Sequence, residues 1–207
     1  MQPLLVHADE WLVAVDKPAG LLSVPGRGAD KADCMAARVQ AAYPDALVVH
    51  RLDMATSGLF LMARGPEIQR RMGAAFEGRE VRKRYVAIVA GLIAQDEGEI
   101  DLPLAADWPN RPKQVVDRAS GKPSRTKWRV LARGADTTRV ELEPVTGRSH
   151  QLRVHLQAIG HPILGDALYA PPEVAAHSAR LLLHAAGLAF THPATGEPLA
   201  LASPVPF

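Results

Sequence analysis

The sequence predicts an α+β fold, a mixed and mostly antiparallel β-sheet flanked by helices and loops. Two observations carry that expectation. Short apolar runs bounded by Gly, Pro, Asp and Asn recur along the chain, several close enough to pair as hairpins, whereas a helical period is confined to three stretches. The 207 residues, 47% hydrophobic and 22% charged, suffice for one well-buried domain and have the composition of a globular protein rather than a disordered or fibrous one. No linker, repeat or low-complexity tract divides them, so a single domain over 1–207 is expected.

Leu4 to Ala8 and Trp11 to Val15, separated by Asp9-Glu10, read as an opening hairpin. DKPAGLLSVPGR follows as a loop with two prolines and two glycines. Asp33 is expected to cap a helix through about Ala42 that places Met35, Ala36 and Val39 on one face, with Cys34 buried in it and Pro44 beyond its end. Val48 and Val49 then lead into HRLDMATSGL, and Leu59 to Met62 lead out. This stretch reads as strand, polar turn, strand, with Arg51 and Asp53 at a strand end and Thr56, Ser57 and Gly58 supplying a tight turn. Pro66 suits the first turn of a second helix carrying Ile68, Met72, Ala75 and Phe76 toward a core and Arg70, Arg71 and Arg79 on its polar side or end.

VRKRYVAIVAG alternates as a strand, and Gly98 to Leu104 reads as a shorter one. DWPNRPKQ breaks the pattern and is expected to be a loop. Ser124 to Val145 form a long hairpin about Gly134-Ala135-Asp136. In RSHQLRVHLQAIG the period becomes helical: Leu152, Leu156 and Ile159 share a face, Gly160 caps the end and Pro162 stops it. Arg153, one turn from His150 and from Gln157, belongs to a second, polar face. RLLLHAAGLAFTHPATGEPLALASPVP closes the chain as two strands joined by a turn.

The net charge of +2 conceals an asymmetry. Arg64 to Arg84 carry seven basic and three acidic residues and Arg111 to Arg133 carry eight and one, so these segments hold +4 and +7 while the remainder sums to −9. If the two segments share a surface, a polyanion is the natural partner; the alternative is a solvated basic face. Within DWPNRPKQ, Trp108 among Arg111 and Lys113 suits unpaired RNA, whose bases stack on rings while phosphates pair with cations, though an anchor into the core would use the same tryptophan. The single cysteine excludes an internal disulfide and fits a reducing cytosol. No apolar run has the length of a membrane span and the first residues lack a signal-peptide pattern, so a soluble cytoplasmic protein is expected. The eight histidines form no metal-ligand spacing, and neither GRGAD nor TGRS has the pattern of a nucleotide phosphate loop.

HRLDMATSGL resembles the signature of the RluA family of pseudouridine synthases. DKPAGLLSVPGR resembles that family's first motif, the Lys-x-Tyr of RKRY another, TGRSHQLRVHLQAIGHPILGDALY a third, and the C-terminal segment its end; Leu168-Tyr169-Ala170 departs where many relatives finish in Gly. The resemblance implies the pseudouridine synthase fold without an N-terminal S4 module, and isomerisation of uridine: the bond from uracil N1 to ribose C1′ breaks, the base turns, and C5 takes the place of N1. It makes Asp53 the nucleophile, Arg153 its basic partner, and Tyr85 the neighbour of the target base. Arg51 would enter the RNA, and Arg82 and Lys83 with Trp108, Arg111 and Lys113 would contact it.

An aspartate, with an ordinary pKa of about 3.9, is ionised at neutral pH and needs no activating base, and the rearrangement needs no cofactor. The residues leave open whether the carboxylate attacks C1′, attacks the ring, or assists proton removal toward a glycal. DWPNRPKQ and LLSVPGR look closest to a dual-specificity branch, implying a 23S ribosomal RNA stem-loop and a tRNA anticodon stem-loop as substrates for a monomeric enzyme. A single-substrate relative, and a non-catalytic RNA-binding protein on the same scaffold, are the alternatives.

Overall fold

In the computed structural model, which describes residues 3–26, 28 and 32–207, the opening hairpin forms where its alternation places it. β1 (Leu4–Ala8) pairs antiparallel with β2 (Leu12–Lys17), and Asp9 fixes the turn by accepting the Trp11 and Leu12 N–H groups on Oδ1, both at 2.7 Å. The chain divides into two compact units, Met1–Lys83 with Ala185–Pro206 and Arg84–His184 with Phe207.

In the first unit β2 lies antiparallel to β4 (Ser57–Arg64), from Leu12 opposite Ala63 to Lys17 opposite Gly58, and β3 (Ala46–Val48) also pairs with β4. β11 (Leu183–Thr191), most of which lies in this unit, forms a hairpin with β12 (Pro198–Ala202). Side chains alternate across a strand, so β2 and β4 feed two cores. Leu12, Ala14, Leu59, Leu61 and Ala63 pack with Ile68 and Met72 of α2 (Pro66–Glu77), whereas Val13, Val15, Phe60 and Met62 pack with Met35, Ala36 and Val39 of α1 (Met35–Gln40). Burial on both faces explains why Leu59 to Met62 read as an unbroken apolar run. The cap of α1 differs from expectation. Cys34 takes that place, its Sγ accepting the Ala37 N–H at 3.4 Å, while Asp33 is engaged by Arg38 at 2.8 and 2.7 Å; the helix ends at Gln40. Arg27, at the end of the expected loop, lies outside the described residues.

In the second unit β5 (Arg82–Ala90, beginning at the end of the first unit), β10 (Thr137–Pro144), β9 (Arg125–Arg133) and β6 (Glu97–Asp101) run antiparallel in that spatial order. The strand expected over Gly98 to Leu104 is instead two: the backbone leaves the ladder at Leu102-Pro103, where proline has no N–H to donate, and β7 (Leu104–Ala106) pairs with β8 (Gln114–Val116). DWPNRPKQ is thus the tip of a small hairpin, with Gln114 already in β8. α3 (Gln151–Ala158) forms as its period requires, and a short α4 (Pro172–Ala175) was not anticipated. α3 has no solvent-facing polar side at its start: Gln151 through Leu156 are all buried. Among the described residues no helix is long and apolar enough to cross a membrane.

Candidate active site

Asp53 lies half-buried in the turn between β3 and β4, and its neighbours on both sides are held in place. The His50 Nε2 accepts the Leu61 N–H at 2.9 Å, and its ring stacks on Phe76 at 5.0 Å. Burial, and secondarily the charge of Lys83, push this imidazole down to about 4, so it is neutral at physiological pH with its proton on Nδ1. Leu52 is gripped twice by Ser23, whose hydroxyl donates to the Leu52 carbonyl at 2.8 Å and accepts its N–H at 3.0 Å. The Met54 carbonyl accepts from the Gly20 N–H at 2.8 Å and from Lys17 Nζ at 3.1 Å.

Lys17 is fully buried, and its ammonium also donates to the carbonyls of Pro18 at 2.9 Å and Leu21 at 2.7 Å. A buried cation is tolerated only with such acceptors. The loop DKPAGLLSV therefore acts as a clamp on the residues either side of Asp53, and the Thr56 N–H closes the turn on the Asp53 carbonyl at 3.1 Å. Gly58 then re-enters the sheet at φ 112°, where a Cβ would collide with the Ala185 backbone. Arg51 is exposed and forms no ion pair or hydrogen bond among the described residues, so it is not the salt-bridge partner of Asp53.

In the second unit Arg153 sits in the first turn of α3, 4% exposed, and its guanidinium forms a bidentate pair with Asp166: Nε to Oδ2 at 2.8 Å and Nη2 to Oδ1 at 2.7 Å. On the expected polar face Arg153 is thus buried while Gln157 is exposed, and two of the fork's donors are committed to a carboxylate on the loop that follows the helix. Gln151 secures the helix start, accepting from Thr146 Oγ1 and the Arg148 N–H and donating to Thr126 Oγ1 and the Arg125 carbonyl. His155, whose burial lowers its pKa, bridges Thr126 Oγ1 and the Leu102 carbonyl.

A model of a protein family described as RNA pseudouridylate synthase matches residues 11–158. The chain belongs to that family. It is 52% identical over 197 residues to the dual-specificity RNA pseudouridine synthase RluA of Yersinia pestis, covering 95% of this chain and 96% of the relative. It is 50% identical over 205 residues to the enzyme of the same name from Escherichia coli K12, covering 99% and 94%. Among solved structures it superposes on human RNA pseudouridylate synthase domain containing 1 with a TM-score of 0.84 at 27% identity, covering 100% of this chain and 84% of that one. A second human protein, domain containing 4, gives 0.79 at 28% identity over 98% and 88%.

The synthase is an isomerase acting on RNA, and its remaining candidate residues fall into distinct settings. Tyr85 is half-buried on β5, opposite Leu142 of β10. Arg82 is exposed on the same strand, and Lys83 is partly buried with a lowered pKa, through desolvation first and the nearby Arg79 second. At the tip of the β7–β8 hairpin Trp108 is 70% exposed, which rules out a core anchor, and Arg111 Cζ lies 3.4 Å from its ring centroid. Lys113 is half-buried beside them. Much of the charge counted in the two basic segments is neutralised locally: Arg64 pairs with Asp45, Arg70 and Arg71 with Glu67, Arg129 with Glu141 and Arg133 with Asp96.

Residue patterns did not single out Lys17, Ser23, Asp166 or Tyr169. A lysine closing the apolar strand Leu12 to Val15 and an aspartate after Ile163-Leu164-Gly165 are the signals available for two of them. Neither reveals its partner.

Proposed function

We propose that the synthase converts uridine to pseudouridine in two RNAs, a stem-loop of 23S ribosomal RNA and the anticodon stem-loop of tRNA, with Asp53 as nucleophile and Arg153 as the cation paired with it. The observation that carries this reading is the near-full-length identity of 52% and 50% to dual-specificity enzymes. Support for the residue roles comes from the architecture around each group: a carboxylate on a turn clamped at both flanks, and a guanidinium oriented by a buried partner. Tyr85 brackets the extruded base, Arg51 fills the space it vacates, and the stacked Trp108–Arg111 pair with Lys113, Arg82 and Lys83 grips the RNA. Extruding a base costs roughly a few kcal/mol, less in a loop than in a helix. The protein works as a cytoplasmic monomer.

Pseudouridine mapping of ribosomal and transfer RNA from cells lacking the protein tests the substrates. Loss of modification in both RNAs is expected, and loss confined to one would replace the dual assignment with a single-substrate one. Tritium release from RNA carrying 5-tritiated uridine tests the activity directly.

A further inference from the structure

Tyr169 touches both the Arg153 guanidinium and the backbone of the β7–β8 hairpin. Its ring centroid lies 5.0 Å from Arg153 Cζ, and its own N–H, with that of Leu168, donates to Oδ1 of Asp166, the carboxylate that holds Arg153. At the far end of the ring the hydroxyl accepts the Gln114 N–H at 2.8 Å, at the first residue of β8, and lies 2.6 Å from His150 Nδ1. His150 is the residue from which α3 starts, and it holds a left-handed backbone at φ 54°. Such a conformation is uncommon for a residue other than glycine and persists where the surroundings enforce it. Here the phenol engages the imidazole, and no capping bond from the His150 side chain competes. Leu104 of β7, Val154 of α3 and Tyr169 share one buried cluster with Val116 of β8 against it. The hairpin, the base of α3 and the arginine fork thus meet at one side chain.

We propose that Tyr169 is a positioning residue that couples engagement of the β7–β8 hairpin by RNA to the orientation of Arg153, so that an RNA loop seated on Trp108 and Arg111 tightens the alignment of an arginine already held by Asp166. The inference rests on the reading of Arg153 as the cation of the reaction and deepens it: the hairpin tip is a sensor of loop-shaped substrate as well as a grip. Tyr169→Phe isolates the coupling, because it keeps the ring over Arg153 and in the apolar cluster and deletes only the hydroxyl.

The test is a double-mutant cycle of Tyr169→Phe and Trp108→Ala, read as the single-turnover rate of tritium release at saturating stem-loop RNA. Each single change is expected to slow that step about tenfold, the scale of one well-placed hydrogen bond, and the double variant to be no more than about twofold slower than either. Rate losses that multiply, or a Tyr169→Phe enzyme that keeps the full single-turnover rate, would overturn the coupling. Arg153→Met, assayed alongside, separates the two levels. If it retains turnover the underlying assignment of Arg153 fails, whereas if it is inactive while the cycle multiplies, only the coupling through Tyr169 fails.

Discussion

The two candidate catalytic residues sit in differently built supports. The backbone on either side of Asp53, at Leu52 and Met54, is held by Ser23, Gly20 and the buried ammonium of Lys17. Arg153 is positioned through its own side chain, by the carboxylate of Asp166. The contrast suits the roles proposed for them: peptide groups can fix the turn that carries a nucleophile, whereas a planar fork can give two donors to a partner and still present a charge. It also follows that the two supports fail differently when broken.

Five variants bear on this contrast. The largest effect is expected for Asp53→Ala, which leaves the clamps of Leu52 and Met54 untouched: tritium release should vanish while RNA affinity, read by filter binding, is retained, and substantial release would remove Asp53 from its role. Asp166→Ala should come next. Deleting one partner of a buried pair leaves an unpaired guanidinium, at a cost of about 3–5 kcal/mol in urea unfolding. The paired replacement Asp166→Leu with Arg153→Met should recover most of that stability and none of the activity, a split that a merely structural pair would not show.

Lys17→Met removes the donor to three carbonyls and should cost about 2–3 kcal/mol with a fall in kcat, because the Met54 carbonyl then loses its ammonium donor and keeps the Gly20 N–H. Unchanged kcat would mean that the clamp serves stability only. The last effect concerns pH. His50 is held neutral when folded, to about 4, but takes up a proton near 6.5 when unfolded. The unfolded chain therefore binds more protons in that interval, so stability is complete above 6.5 and declines toward pH 4, by about 1.4 kcal/mol per unit at most from this group. His155, also shifted down by burial, contributes in the same direction. In His50→Gln, whose amide oxygen can still accept the Leu61 N–H, the decline measured by urea unfolding between pH 7 and 4.5 should flatten without disappearing.

Legibility differed between these two regions as well. The turn around Asp53 could be read from neighbours in the chain, since an apolar run, a polar decapeptide with a glycine, and a second apolar run encode strand, turn and strand locally. For Arg153, periodicity placed the side chain on a helix face with His150 and Gln157 but could not say what that face meets. It meets Asp166, so a side chain assigned to a polar face is buried. Similarly, a count of basic residues overstated the free positive charge, because acidic partners such as Asp45 and Asp96 lie outside the counted segments. The strand expected across Leu102-Pro103 failed for a local reason that was visible, a proline inside the run.

By itself the sequence determined the class of the fold, the hairpins, the helix on which Arg153 sits and the family to which HRLDMATSGL points, because each depends on residue spacing over a few positions and on φ/ψ preferences of Gly and Pro. The tertiary structure alone decided which groups support the site. Ser23 grips Leu52 across 29 positions, Lys17 reaches Met54 across 37, and Tyr169 meets Gln114 across 55. A hydrogen bond is directional and short, so its partners are set by where packing brings the backbone, and that is a property of the whole folded chain.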